Sequence, residues 1–282
     1  YIPDNLWNIK SHDAARHGTN LLISILNEKR FSFPKSLYAT HDTIRFFVAN
    51  KPNALIVDFF AGSGTTLHAV NLLNAEDGGH RRCIMVTNNE VSVDEAEFLT
   101  EKGYQPGDEA WGKLGIARYV TWPRTVCSIE GHDVNGKPLK GDYITSGEEP
   151  MHMADGFKAN AAFFKLGFLD KNAVALGRQF KELLPVLWLK AGAHGPCPAL
   201  EEAAEVPAML VLPVNHFAVL TDESQYETFA AQVNGEDSIT TVYIVTDSEP
   251  GYREMISGLH AEDTYQLYRD YLDNFRINHG GR

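Results

Sequence analysis

The chain has 282 residues, 44% hydrophobic and 22% charged, the proportions of an ordinary globular protein with one large or two modest domains. Its formal net charge is -12, with -4 on residues 1–150 and -8 on 151–282; only the first fifty residues, at +2, are net basic. That balance argues against unaided binding to nucleic-acid phosphates, and no apolar run approaches the ~20 residues that span a bilayer.

Cys83, Cys127 and Cys197 are scattered and form no Cys-x-x-Cys pair, so neither a zinc site nor a disulfide frame is suggested, and a reduced, cytoplasmic setting fits. The chain opens with Tyr1-Ile2-Pro3-Asp4 rather than Met, and the expectation is a piece of something longer. Thr19 is placed to cap a helix through Leu21, Leu22, Ile25 and Leu26, and His12 and His17 read as solvated loop histidines. Pro34 pre-sets a second helix that runs to about Phe47, with Leu37, Ile44, Phe47 and Val48 on its apolar side.

Ala54-Leu55-Ile56-Val57 is short and β-branched at its end, and reads as a buried strand. It leads into Asp58-Phe59-Phe60-Ala61-Gly62-Ser63-Gly64-Thr65-Thr66, and a helical run follows. Gly62 and Gly64 permit positive φ and close approach of a ligand to the main chain. Ser63, Thr65 and Thr66 are candidates to cap the helix, whose first amides favour an anionic group such as a carboxylate. A phosphate-binding loop would need a Lys where Thr65 stands, and a dinucleotide fingerprint would need a glycine where Leu67 stands.

The string Asp58 to Thr66 resembles the cofactor loop of amino-group DNA methyltransferases, usually Asp-Pro-Phe-Ala-Gly-Ser-Gly-Thr-Thr. The resemblance implies S-adenosylmethionine as cofactor, held by Asp58, Phe59, Phe60, Ala61, Gly62, Ser63, Gly64, Thr65 and Thr66. In that family a Pro-Lys-x-Leu segment precedes the glycine loop, so Pro34-Lys35-Ser36-Leu37 places Lys35 and Ser36 at the methionine end of the cofactor. Cys83 to Thr87 reads as the next strand and completes a parallel, right-handed βαβ unit. Asn74-Ala75-Glu76-Asp77-Gly78-Gly79-His80-Arg81, between helix and strand, resembles adenine-specific enzymes of the type III restriction–modification kind. The fold so implied is α/β: part of a Rossmann-like methyltransferase sheet, followed by a second small α/β domain.

An acid after the second strand would bind ribose hydroxyls, and Glu90 is the candidate; the alternative is that it belongs to the acidic start of the next helix. Residues 103–114 read as a polar loop with a short helix, and Arg118 and Arg124 as surface arginines, in an ion pair or against DNA phosphates. Asn135-Gly136 marks a β-hairpin. A domain boundary is expected within 145–156, dividing a cofactor-binding half, 1–148, from an accessory or docking domain, 149–282.

In the second domain, 161–169 leans to strand and 174–190 to a helix interrupted at Pro185. Strands are expected at 208–212, 217–221 and 240–246, and helices at 223–233, 251–259 and 263–275. Thr221-Asp222 and Thr246-Asp247 end two strands, where helix capping is favoured over metal binding.

The family's base-holding tetrad, Asp/Asn/Ser-Pro-Pro-aromatic, is absent, and Pro-Pro occurs nowhere in the chain. The resemblance covers about residues 7–130. It implies the C-terminal part of an adenine-amino DNA methyltransferase, inactive alone and bound to DNA through the full-length enzyme. The alternatives are a cytosine-amino enzyme, or a non-catalytic module that docks a restriction or defence subunit. No membrane partner is expected.

Overall fold

The computed structural model describes residues 6–147, 149–166, 180–200 and 206–267. They fall into two compact units that divide between Phe163 and Phe164.

In the first unit a 3-10 turn, Lys10–His12, precedes a π-helical turn, Ala15–Asn20, that runs directly into α1 (Leu21–Leu26). Asp13 starts this helix, its Oδ1 accepting from the amides of Ala15 at 2.7 Å and Arg16 at 3.3 Å. Thr19 therefore lies inside the helix and does not cap it. His12 and His17 are not solvated loop residues either. His12 Nε2 is 2.8 Å from Asp42, and His17 sits edge-on to Tyr38.

Ser36 caps α2 (Leu37–Val48), accepting from the Ala39 amide; Pro34 lies ahead of the helix rather than in its first turn. β1 (Leu55–Asp58) leads through the glycine loop to α3 (Thr65–Asp77), and β2 (Arg82–Met85) returns parallel to β1 with Leu55 opposite Arg82. This is the expected βαβ unit. The strands are not buried as expected. Leu55, Val57 and Ile84 are each 44–50% exposed. A parallel strand is fully buried only where both faces are covered, and α3 returns across one of them.

The Asn74–Arg81 segment is a structural lock. Asp77 grips the Arg81 guanidinium with both oxygens at 2.9 Å, and Arg81 also donates to the carbonyls of Val48 and Ala49 at the end of α2. Asn74 bonds both the amide and the carbonyl of Arg81. Glu76 lies 3.0 Å from His41 on α2.

α4 (Val93–Glu101) starts with a capping box from Ser92 and Glu95. After the short α5 (Glu109–Lys113), a π-helical turn, Ala117–Thr121, runs into α6 (Trp122–Glu130). The Asn135-Gly136 turn forms as expected, with Gly136 N donating to Asp133 O and His132 bridging Pro138. β3 (Asp142–Tyr143) then pairs antiparallel with β4 (Met151–His152), across the boundary expected at 148. The core of this unit joins α1, α2, α3 and α6 to Tyr143 and Phe157.

In the second unit, residues 164–166 form no regular element, nor do 161–163 before them. The strand expected at 161–169 is thus absent from its described part, and 167–169 lie outside the described residues, as do 174–179 of the next helix. α7 (Phe180–Lys190) contains Pro185. β5 (Met209–Leu212), β6 (Phe217–Leu220), β7 (Thr241–Val245) and β8 (Asp263–Leu267) form one sheet in that order; β5 is antiparallel and the rest are parallel. α8 (Tyr226–Asn234) and α9 (Glu249–Ser257) connect the parallel strands.

The helix expected from Asp263 is instead strand β8 as far as Leu267, and the residues beyond lie outside the described part. Tyr265 and Leu267 alternate onto one face, against the cluster of Phe217 and Tyr243. A period of two, not 3.6, governs them. Asp222 caps the turn before α8 through the Ser224 amide, and Ser248 rather than Asp247 caps α9.

Candidate functional site

β1 delivers the chain to Asp58, whose carboxylate ties the loop shut. Oδ1 accepts from the Phe60 amide at 3.0 Å and Oδ2 from Thr66 Oγ1 at 2.5 Å. The Ala61 amide donates to Val86 O just past β2. Gly62 and Gly64 both adopt positive φ, 50° and 77°. A Cβ on Gly64 would lie 3.1 Å from Thr121 Cγ2, so this glycine lets the loop pack on the 117–121 turn. Thr121 Oγ1 in turn donates to Gly62 O at 2.6 Å. Gly62 lies under the ring of Phe31, 3.4 Å from where its Cβ would be.

Gly64 is the N-cap of α3, and no side chain caps it. The three hydroxyls expected to do so point elsewhere. Thr66 bonds Asp58, while Ser63 and Thr65 lie 3.2 Å apart and both accept from Arg124. The first turn of a thirteen-residue helix is therefore left without a side-chain cap, and such amides favour an anion. Phe59 and Phe60 stand exposed beside it.

Arg124 is not at the surface. It is 0% exposed. Nη1 donates to Thr65 Oγ1 at 2.7 Å, Ser63 Oγ at 3.2 Å and Ser63 O at 3.3 Å, and Nε reaches His68 Nδ1 at 3.4 Å. Burial lowers its pKa to about 10, so it is a cation at neutral pH. Burial, and then the Arg124 charge, push His68 well below its ordinary value. A neutral His68 accepts from Arg124 at Nδ1 and shares Nε2 with Tyr143 Oη at 2.9 Å. Arg118, by contrast, is exposed and pairs with Glu109 at 3.2 Å.

Lys35 is exposed, whereas Ser36 is buried, with its Oγ on Ser11 O and the Ala39 amide. Glu90 is exposed and accepts from Asn88 Nδ2 at 2.9 Å, outside the acidic start of α4. The residues that seat the loop, Phe31, Thr121 and Arg124, were missed as site residues. The signal for Arg124 was its place among Val120, Thr121, Thr125, Cys127 and Ser128, all buried on one helical stretch. Among the described residues, no group of three or more His, Cys, Asp or Glu side chains is placed to hold a metal ion.

The N6/N4 methyltransferase family, described as DNA methylase, matches residues 2–98, which contain the whole glycine loop and the Asn74–Arg81 lock. Over residues 2–98 the chain is thus similar to DNA methylases. The chain is 45% identical over 84 residues to the type II methyltransferase M.KpnI of Klebsiella pneumoniae, a match covering 30% of this chain and 19% of that protein. It is 36% identical over 103 residues to the type III restriction-modification enzyme EcoPI Mod subunit of Escherichia phage P1, covering 36% and 15%. It is 33% identical over 210 residues to the StyLTI Mod subunit of Salmonella typhimurium strain LT2, covering 67% and 31%. The chain thus spans under a third of each of these curated relatives. The last match extends well beyond the methylase region. No helix among the described residues is long and apolar enough to cross a membrane.

Proposed function

We propose that this chain is the cofactor-binding half of a DNA methyltransferase acting on the exocyclic amino group of adenine, with S-adenosylmethionine as methyl donor. One observation carries the reading: the uncapped start of α3 behind a loop with both glycines at positive φ, closed by Asp58. The loop residues Asp58 to Thr66 would hold the cofactor, with its carboxylate at the helix amides and Phe59 and Phe60 against its apolar parts. Lys35 and Glu90, both exposed, are the proposed outer contacts; Ser36 acts through its cap of α2. The cofactor supplies an electrophilic methyl group. This chain's own contribution is to bind and orient it.

Adenine is the proposed acceptor because the Asn74–Arg81 string follows the type III kind. The chain holds no Pro-Pro tetrad to grip a flipped base, so we propose that DNA is engaged through the full-length enzyme. The second unit, with its acidic surface, is proposed to dock a restriction or defence subunit. Calorimetry with S-adenosylmethionine tests the core of the reading. Saturable, weak binding is expected, with no methyl transfer to DNA by the purified chain. Absence of binding overturns the cofactor assignment, and transfer by the chain alone overturns the division of labour.

A further inference from the structure

Arg81 and Arg124 are both buried arginines, and they are satisfied differently. Arg81 has the Asp77 carboxylate on it. Among the described residues, the hydrogen-bond partners of Arg124 are all neutral: two hydroxyls, a carbonyl and a neutral imidazole. Its Nη2, buried, has no hydrogen-bond partner among the described residues. Taking a guanidinium out of water without an anion is costly, and such a charge persists where the assembled site supplies one.

The same guanidinium holds Ser63 and Thr65, the two residues that flank the N-cap of α3. Its charge thus lies directly behind a helix start that no side chain caps. Resting on the cofactor reading above, we propose that Arg124 is a positioning residue for the cofactor carboxylate. It holds the Ser63-Gly64-Thr65 backbone in its ligand-binding shape, and its uncompensated charge adds to the field of the α3 amides. Part of the recognition of the carboxylate then comes from behind the loop, through a side chain that never touches the ligand.

The test uses the whole chain and two ligands that differ only in the anion: S-adenosylmethionine and its decarboxylated analogue. The readout is the ratio of their affinities, together with a thermal melt. In Arg124→Met the ratio is expected to fall about tenfold, the size of a single charge acting through a partly screened interior. Arg124→Lys, which keeps the charge, is expected to recover most of it. If Arg124→Met fails to fold, Arg124→Gln, which keeps a donor toward Ser63 and Thr65 without the charge, is read in the same way. Equal weakening of both ligands, an unchanged ratio, or no recovery with Lys overturns the inference and leaves the cofactor reading standing. If the unaltered chain binds neither ligand, the cofactor reading itself falls and takes this inference with it.

Discussion

At the residue scale, the Asn74–Arg81 string is explained side chain by side chain. Gly78 has φ 69° with open space where a Cβ would go, but a Cβ on Gly79 would come within 2.2 Å of Arg81 Nη1 and 2.9 Å of Asp77 Oδ1. A flexible arginine tip would normally move aside; this one is pinned by Asp77 and two carbonyls. Gly79→Ala is therefore expected to destabilise by about 2–3 kcal/mol, the upper part of the ordinary range for a single substitution, because the buried Arg81 must give up partners. Gly78→Ala should cost only about 1 kcal/mol. Urea midpoints of the two variants check the order.

His41 gives a pH signature. Burial alone would lower its pKa, but hydrogen bonds to Asp42 and Glu76 outweigh that and raise it to about 9. A raised folded-state value stabilises fully below the unfolded pKa of 6.5 and is lost as pH rises through 9. Stability should therefore decline from pH 6.5 to 9 by on the order of 3 kcal/mol. His41→Asn should flatten that slope, as measured by melts of both proteins across the window.

At the scale of elements, the glycine loop and β8 carry opposite lessons. The loop does what its residues dictate: both glycines are left-handed, and a valine at Gly62 would be strained at φ 50° and pressed on Phe31. Gly62→Val is expected to cost about 1–2 kcal/mol and to abolish S-adenosylmethionine binding with the fold retained. Calorimetry and circular dichroism on the same sample check both halves. Wild-type affinity would overturn the placement.

β8 follows its neighbours instead. Tyr265 stacks on Tyr243 with centroids 5.5 Å apart and carries Lys190 Nζ 3.7 Å above its ring. Tyr265→Ala is expected to lose about 2 kcal/mol from this stack and its burial. Chemical denaturation measures it. A surface helix face in its place would lose little.

At the scale of the whole molecule, charge decides what the chain can do alone. The net -12 includes -8 beyond residue 150, and the one arginine of the sequence reading that lies deepest, Arg124, is inaccessible to phosphates. At physiological salt the purified chain is expected not to shift duplex DNA in an anisotropy titration. Binding there would mean that the phosphate grip lies in this chain after all. In the second unit, β6 and β7 are parallel neighbours, so Asp222 and Asp247 follow strands that end on the same side of one sheet.

Some of this was determined by local sequence. The strand–loop–helix–strand order, the positive φ of Gly62 and Gly64, the Asn135-Gly136 turn and most strands of the second unit follow from side-chain period and backbone freedom, which act within a few residues. Tertiary structure decided the rest, because it depends on what meets what. Whether the faces of β1 and β2 are covered depends on what packs against them, not on their apolar composition. Asp263–Leu267 becomes a strand because β7 offers an edge and Tyr243 a ring. Ser63, Thr65 and Thr66 give up the helix cap because Arg124 and Asp58 compete for their hydroxyls. Arg124 itself lies some sixty residues along the chain from the loop it supports, a separation over which no local pattern can report a contact.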